Sequence, residues 1–207
     1  MIVQSGFDLP AALAHLANGG VVAAPTETFY GLLADATNPR AIDAVLALKP
    51  RDAGKGIGLI LPNRESWAAI VHEVPALAAK LADAFWPGPL TLALPSGANT
   101  DTRLTLGGSI GVRLAPPSPA ATLAAAFGRP LTATSANPPG EPPAALASDV
   151  EAAFAAQITQ GTLLVIPGRS PGGLASTVVT VSEEGAKIAR PGAVPAEALA
   201  AVVGTLI

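Results

Sequence analysis

Glycine and proline divide this chain into short segments, which limits the lengths of its helices and strands. The sequence contains 21 Gly and 21 Pro among 207 residues, and both residue types commonly end regular secondary structure. Between these breaks, short apolar runs alternate with segments whose apolar residues recur at helical spacing. Several neighbouring strands have no helix between them. This mixture predicts an α/β fold in which helices flank a twisted β-sheet of mixed strand direction.

The predicted elements follow the apolar patterns between these breaks. Strands are expected at residues 21–24, 57–61, 90–94, 110–114, 131–134, 163–166, 177–181 and 187–189. Helices are expected from Asp8 to Asn18 and at residues 39–48, 64–71, 75–85, 120–127 and 149–155. Residues 25–31 form a predicted polar turn, and residues 138–143 form a predicted ordered loop or lid.

Composition and charge limit the class of protein. Half of the residues are apolar and 13% are charged, which excludes a disordered chain and predicts one domain over residues 1–207. No apolar run approaches the roughly 18 residues of a membrane span, so we expect a cytoplasmic protein without membrane contact. The net charge of -3 does not favour broad capture of nucleic acid. Because Cys is absent, chemistry must come from oxygen and nitrogen groups.

Three of the twelve Lys and Arg residues, Lys49, Arg51 and Lys55, lie close together in the sequence. They follow a predicted helix, whose C-terminal dipole would attract a cation such as Lys49. Arg51 and Lys55 continue beyond the helix into a segment with Gly54 and Gly56, where backbone amides can approach an anion. The alternative is a solvated charged loop. We predict a phosphate-binding loop that is looser than a Walker P-loop.

Hydroxyl groups are concentrated in the polar turn that follows the first predicted strand. Thr26, Thr28 and Tyr30 lie in this turn together with Glu27. Side chains that emerge at the end of a buried strand often meet a ligand, and these hydroxyls suit a small polar substrate. The alternative is ordinary turn chemistry, in which Thr oxygens satisfy backbone amides.

Arg113 falls inside the apolar strand predicted at residues 110–114. An unpaired guanidinium that faces the core would be costly, so this side chain needs an anionic partner. The partner is either a structural Asp or Glu, or the carboxylate of a substrate held by a bidentate pair.

Small and polar residues follow or open three other predicted strands. Ser135 and Asn137 come at the end of one strand, Ser176 precedes another, and Arg190 ends a third. Small side chains allow a ligand to approach the backbone closely, while hydroxyl and amide groups offer contacts to it. Taken alone, each of these residues is an ordinary turn residue.

Taken together, these segments resemble the YrdC/TsaC family of threonylcarbamoyl-AMP synthases. The resemblance covers about residues 8–195, and its motifs occur in the family's order. The matching motifs are Pro25-Thr26-Glu27-Thr28-Phe29-Tyr30-Gly31-Leu32, Lys49-Pro50-Arg51 with Lys55-Gly56, Trp86-Pro87-Gly88-Pro89-Leu90-Thr91, Gly111-Val112-Arg113, Thr134-Ser135-Ala136-Asn137, Ser176-Thr177-Val178 and Arg190-Pro191-Gly192.

The resemblance implies a fold and a reaction. The family's sheet curls around a deep, positively charged cavity. Its members join L-threonine, bicarbonate or CO2 and ATP into threonylcarbamoyl-AMP and pyrophosphate, the first step toward the threonylcarbamoyladenosine modification of tRNA. We therefore expect a nucleotidyltransferase that uses ATP with Mg²⁺ and passes its product to the tRNA threonylcarbamoyl transferase machinery.

The resemblance also implies roles for individual residues. The residues expected to line the threonine pocket are Thr28, Arg113, Ala133 and Ser176. Those expected to contact ATP are Arg51, Lys55, Ser109, Ser135, Asn137, Pro143 and Arg190. Lys49 and Arg51 are the expected catalytic cations, because transfer to the α-phosphorus needs positioning and charge neutralisation more than a general base. No residue is assigned to a metal site.

The sequence departs from the family pattern at three positions. Asp52 follows Arg51 where members usually have Pro, which places a negative charge beside the expected phosphates. Ile60 stands where many longer relatives have a His, which removes one contact to threonine. Pro139 stands where a Ser is common.

Two other functions are compatible with parts of the pattern. One is a non-catalytic module that binds RNA or tRNA, as relatives have been described to do, but the acidic chain lacks the basic outer surface that such binding needs. The other is the carbamoyl-adenylate domain of hydrogenase-maturation carbamoyltransferases. Those domains lie in much longer chains with zinc-binding segments, and this chain has no Cys.

Overall fold

The computed structural model describes residues 7–49 and 56–207. Arg51 and Lys55 of the predicted phosphate-binding loop, together with Asp52, lie outside the described residues.

The strands of the described residues form one sheet of mixed direction. Its strands are β1 (Val21–Pro25), β2 (Tyr30–Leu33), β3 (Gly58–Ile60), β4 (Leu90–Pro95), β5 (Ser109–Arg113), β6 (Leu131–Ser135), β7 (Leu163–Val165), β8 (Thr177–Ser182) and β9 (Gly185–Arg190). Their order across the sheet is β7-β1-β2-β6-β3-β5-β4-β8-β9. The pairs β1/β7, β3/β5 and β4/β8 are parallel and the other neighbours are antiparallel. The predicted mixed α/β sheet is therefore confirmed.

Short helices connect these strands. They are α1 (Leu9–Ala17), α2 (Pro39–Leu48), α3 (Ala76–Phe85), α4 (Pro119–Phe127), α5 (Ala147–Ala153), α6 (Ala155–Thr159) and α7 (Ala196–Val203), with 3-10 helices at Glu65–Ala69 and Thr102–Leu104. Asp8, Asn38 and Ser118 begin helices by accepting hydrogen bonds from backbone amides, each with a Pro at one of the first two helical positions. In the part of the chain that the structure describes, no helix has the length and apolarity that a membrane crossing requires.

The helices pack on both faces of the sheet and produce two apolar clusters. On one face, α1 and α4 cover β1 and neighbouring strands through residues such as Leu16, Leu123 and Leu131. On the other face, α2, α3 and α7 cover the larger cluster, which includes Leu92 and Val112. Burial of both faces accounts for the nearly continuous apolar runs of the central strands.

The structure corrects the prediction for residues 25–31. A polar turn is predicted through Gly31, whereas β2 begins at Tyr30 and pairs with both β1 and β6. Because β2 has only four residues, its own sequence carries little strand periodicity. Pairing with β1 on one side and with β6, which is distant in the sequence, on the other decides its structure.

The helical predictions differ from the structure in three places. The segment predicted as a helix at residues 64–71 is a 3-10 helix over Glu65–Ala69. The helix predicted at 149–155 is divided into α5 and α6 by Phe154, whose φ of -123° is not helical. No helix is predicted after Arg190, whereas the structure has α7 in this segment, where it packs against α3. The abundance of Ala throughout the chain makes helix propensity a weak guide to such ends.

Thr177 joins β8 to the chain that follows β9, and its substitution tests this contact. Its buried hydroxyl donates to the carbonyl oxygen of Val194 at 2.8 Å and accepts from the amide of Val194 at 2.9 Å. We expect Thr177→Val to lower the free energy of unfolding by about 1–3 kcal/mol, because it leaves two buried backbone groups without partners. Urea denaturation measures this change.

The matched control is Thr180→Val on the same strand. Thr180 is half-buried, and its hydroxyl has no hydrogen bond to another described residue. This substitution should change stability by less than about 0.5 kcal/mol. Equal losses in the two variants would contradict the role of the Thr177 hydroxyl.

Candidate active site

One face of β4 and β5 carries small and polar side chains that are only half-buried for the most part. Leu92 and Val112 point into the larger apolar cluster, so the alternate residues of both strands point to the opposite face. We call this opposite face the floor, and its residues are Thr91, Ala93, Ser109, Gly111 and Arg113. Such residues leave room for a ligand against the sheet.

Arg113 at the end of β5 forms a buried ion pair with Glu27. The side chains of Arg113 and Glu27 are 8% and 11% exposed, and Nη1 of the guanidinium donates to Oε1 of the carboxylate. The anionic partner that the sequence requires for Arg113 is therefore an acid of the turn between β1 and β2.

This ion pair depends on the curvature of the sheet. Strands β2 and β5 are three steps apart in the strand order, which corresponds to about 14 Å in a flat sheet. Glu27 lies just before β2, so the turn must fold over the sheet for the two side chains to meet. The pair thus holds the turn above the floor.

Burial gives the Arg113 guanidinium an unusual environment. Desolvation lowers the pKa of Arg113, and the nearby Glu27 carboxylate opposes this effect by favouring the charged form. The other carboxylate oxygen of Glu27, Oε2, is buried and has no hydrogen-bond partner among the described residues. The ion pair is therefore only partly satisfied.

A second guanidinium lies at the same edge of the floor. Arg190, at the end of β9, donates through Nη2 to the carbonyl oxygen of Ser176 at 2.8 Å and to its hydroxyl at 3.1 Å. The Ser176 hydroxyl also lies 3.0 Å from that of Thr91. Partial burial lowers the pKa of Arg190, and the positive charge of Arg113 lowers it further. Two cations that disfavour each other's charge make this corner attractive to an anion.

Gly192 fixes the position of this corner. A side chain at Gly192 would collide with the carbonyl oxygen of Ala175 and the amide nitrogen of Thr177. The amide of Ala193 donates to the same carbonyl oxygen at 2.9 Å. Only Gly therefore allows the chain after Arg190 to pack against the residues around Ser176.

A separate polar cluster joins the end of α2 to the end of β6. The Lys49 ammonium donates to the carbonyl oxygen and hydroxyl of Ser135, both at 2.7 Å, and to Oδ1 of Asn137 at 3.0 Å. Asn137 in turn donates to the carbonyl oxygens of Pro138 and Glu141 at 3.0 and 2.6 Å. Lys49 thus orders the loop that follows β6.

The turn between β1 and β2 has its own hydrogen bonds. The Thr26 hydroxyl donates to the carbonyl oxygen of Phe29 at 2.7 Å and accepts from the amide of Thr28 at 3.1 Å. The carbonyl oxygen of Thr28 accepts from the amide of Gly172 at 2.7 Å. Thr26 therefore has the ordinary turn chemistry that is one of the two alternatives for this segment, and contact of its hydroxyls with a substrate stays a prediction.

Comparisons with known proteins identify the family. The profile of the Sua5/YciO/YrdC family, described as "Telomere recombination", matches residues 14–192. The chain belongs to this family. The resemblance predicted from the sequence is therefore confirmed.

Relatives in this family have similar sequences over most of the chain. A protein of Alkalilimnicola ehrlichii named threonylcarbamoyl-AMP synthase is 37% identical over 183 residues, which cover 88% of this chain and 95% of the relative. A protein of the same name from Pyrococcus abyssi is 33% identical over 94% of this chain. The chain spans 57% of the length of that archaeal relative.

Solved structures of the family have the same fold. Pyrococcus abyssi Sua5 in complex with L-threonine superposes with a TM-score of 0.86 and 32% identity, over 96% of this chain and 58% of that chain. Escherichia coli YciO superposes with a TM-score of 0.79 at 22% identity, over 92% of each chain.

The predicted site residues of this Sua5/YciO/YrdC chain fall into two groups. Thr28, Arg113, Ser176 and Arg190 lie around the ion pair, and Lys49, Ser135 and Asn137 form the polar cluster. Three other predicted residues belong to neither group. Ser109 is half-buried on the floor, and Ala133 pairs with Gly58. Pro143 is exposed and precedes Ala144, whose carbonyl oxygen accepts from the Tyr30 amide. Arg51 and Lys55 lie outside the described residues.

Two residues contact the predicted site residues although the sequence pattern assigns them no role. Glu27 is the partner of Arg113, and Thr91 contacts Ser176. Because a buried Arg needs an acidic partner, Arg113 indicates from the sequence that an acid lies nearby, and Glu27 is the acid of the polar turn.

Ile60, at the position of the absent His, is fully buried among apolar side chains. Among the described residues, no group of three or more His, Cys, Asp and Glu could hold a metal ion.

Tyr30 gives a spectroscopic test of how the turn joins the sheet. Its buried hydroxyl donates to the carbonyl oxygen of Ile166 at 3.0 Å. Burial, with a smaller effect of the Glu151 carboxylate, raises the pKa of Tyr30 to about 12. Because Tyr30 is the one Tyr of the sequence, the tyrosinate absorbance should rise with a midpoint at pH about 12 when the protein is folded and at pH about 10 in urea.

The same shift predicts a loss of stability at high pH. The folded protein retains the Tyr30 proton that the unfolded chain releases, so the stabilisation is complete below pH about 10 and disappears as the pH rises through about 12. A midpoint at pH about 10 in the folded protein would contradict the burial of this hydroxyl.

Proposed function

We propose that this protein synthesises threonylcarbamoyl-AMP from L-threonine, bicarbonate or CO2 and ATP, with release of pyrophosphate. The observation that carries this proposal is the buried guanidinium of Arg113, which lies on the floor beside the turn of Glu27 and Thr28. Membership of the Sua5/YciO/YrdC family and relatives named threonylcarbamoyl-AMP synthase support the same reaction.

The threonine subsite of this proposal lies around Arg113. Its guanidinium binds the substrate carboxylate, because planar bidentate pairs of this kind are strong and directional. Thr28, Ala133 and Ser176 line the same subsite. The structure of Pyrococcus abyssi Sua5 is a complex with L-threonine, which supports an amino-acid subsite in a chain of the same fold.

The nucleotide subsite of this proposal extends from Arg190 to the polar cluster of Lys49. The proposed ATP contacts are Arg51, Lys55, Ser109, Ser135, Asn137, Pro143 and Arg190. Lys49 and Arg51 are the proposed catalytic cations, and Lys49 also holds Ser135 and Asn137 in position. Ser176 contacts Arg190 directly, so the α-phosphate would lie next to the amino acid.

The reaction in this site needs no nucleophilic side chain. The amino group of threonine adds to CO2 and loses a proton, which gives a carbamate. A carbamate oxygen then forms a bond to the α-phosphorus, while the bond from that phosphorus to pyrophosphate breaks. Cations at the subsite boundary stabilise the charge on the phosphates. We propose the ATP–Mg²⁺ complex as the substrate and assign no side chain to the metal.

The proposal also concerns what happens to the product. A nucleotidyltransferase of this kind makes a reactive mixed anhydride, so a tRNA threonylcarbamoyl transferase must receive it. Weak RNA or tRNA binding and a cytoplasmic location stay predictions from the sequence.

Pyrophosphate release tests the reaction. The purified protein incubated with ATP, Mg²⁺, bicarbonate and L-threonine should release pyrophosphate, and omission of threonine should abolish the release. Pyrophosphate that forms at the same rate without threonine, or not at all, would overturn the proposal. Mass spectrometry should find threonylcarbamoyl-AMP in the complete mixture.

Substitutions in the two subsites should have opposite effects. Arg113→Ala should weaken threonine binding about tenfold or more and leave ATP binding within about threefold, because it removes a charged contact to the carboxylate alone. Lys49→Ala should show the reverse. Lys80→Ala, an exposed cation on α3, is the control and should change neither. Calorimetric titration with each ligand measures these effects.

A variant that does not fold would also lose binding, so the stability of each variant is measured as well. Arg113→Ala leaves the Glu27 carboxylate buried without its counter-charge, so thermal unfolding is measured alongside. A folded Arg113→Ala variant that loses threonine and ATP binding equally would show that the guanidinium has a structural role only.

A further inference from the structure

Glu27 has no role in the proposed reaction, although it makes the ion pair on which the threonine subsite depends. It lies in the turn between β1 and β2, directly before Thr28. A carboxylate that occupies the guanidinium expected to bind the substrate carboxylate competes with the substrate. The position of Glu27 therefore needs an explanation beyond charge balance.

The ion pair uses only part of the binding capacity of either group. Glu27 contacts one nitrogen of the Arg113 guanidinium, Nη1. Within residues 7–49 and 56–207, the Nε and Nη2 atoms of Arg113 have no protein acceptor. A ligand carboxylate that binds through these two atoms makes a bidentate contact, which is stronger than the single contact of Glu27 and can replace it.

The unpartnered oxygen of Glu27 points to a second position of this side chain. Its Oε2 atom is buried without a hydrogen bond among the described residues, which is costly for a carboxylate oxygen. A movement that brings Oε2 within reach of a hydrogen-bond donor would remove that cost. The ammonium group of an amino acid carries three N–H donors.

An amino acid carries both charges that this pair could exchange. Its carboxylate is complementary to Arg113, and its ammonium group, a short distance away on the same carbon, is complementary to Glu27. Insertion of the zwitterion between the two side chains would replace one buried ion pair by two. Neither charge of the protein would then be left buried without a partner.

We propose that Glu27 binds the α-amino group of the amino-acid substrate after the substrate carboxylate has replaced it on Arg113. This role is a positioning and specificity role, and it rests on the proposed function because it assumes that an amino acid occupies the Arg113 subsite. It restricts the substrate to molecules with an amino group next to the carboxylate.

Two ligands that differ only in the amino group test this role. L-threonine and (R)-3-hydroxybutyrate share the carboxylate, the hydroxyl and the methyl group. Calorimetric titration of the full chain at neutral pH gives a dissociation constant for each, and their ratio is the preference for the amino group. We expect the wild-type protein to bind threonine about tenfold or more tightly, as for a charged hydrogen bond.

The decisive variant is Glu27→Gln, which keeps the size of the side chain and removes its charge. We expect the preference for threonine to fall to within about threefold of unity, because the ammonium group loses its counter-charge while the carboxylate keeps Arg113. A structural role of Glu27, or mere competition for Arg113, would change binding of both ligands by the same factor and leave the ratio intact. An unchanged ratio therefore overturns the proposal.

Asp83→Asn is the matched control, since Asp83 pairs with Arg64 on the exposed face of α3. Its ratio should equal that of the wild type. If Glu27→Gln does not fold, Glu27→Ala, which also removes the charge, is measured instead, and an unchanged ratio there overturns the proposal in the same way.

The outcomes separate this inference from the proposed function. If the wild-type protein binds threonine and the ratio is unchanged in the variant, the proposed subsite exists but Glu27 does not have the proposed role. A wild-type protein that does not bind threonine at all overturns both. Equal affinity of the wild type for the two ligands overturns the role of Glu27 alone.

Discussion

The buried charge of Arg113 is the constraint on which the rest of the site depends. A guanidinium at the end of a central strand cannot stay unpaired inside the protein, because its desolvation would cost more than the fold can easily offset. Glu27 supplies the counter-charge from a turn that lies several strands away in the sheet. The ion pair therefore requires a curled sheet with the turn folded over it, and this geometry creates the floor on which a ligand can lie.

The polar groups of the site are held by contacts that do not depend on a ligand. Lys49 orders the loop after β6 through Ser135 and Asn137. Gly192 allows the end of β9 to pack against the residues around Ser176, which places Arg190 beside Arg113. Such preorganisation suits a reaction in which positioned cations, and not a nucleophilic side chain, lower the barrier.

The sequence predicted most strands and helices because Gly and Pro mark their ends. It failed where pairing or packing at long range decides the structure. The strand β2 is too short to show its own periodicity, and α7 is an alanine-rich segment whose helix is stabilised by packing on α3. The role of Glu27 was not predicted for a related reason: the sequence shows an acid in a turn, and nothing local indicates that Arg113 is its partner.

The sequence by itself determined the family, the mixed α/β class and the residue types available for chemistry, because motifs in a fixed order and the absence of Cys can be read without coordinates. Only the tertiary structure decided which of these residues meet. Glu27 and Arg113, Lys49 and Ser135, and Arg190 and Ser176 lie on different strands, helices or turns, and strand order with sheet curvature brings them together. Distances between such residues depend on long-range pairing and packing, which a local sequence pattern does not contain.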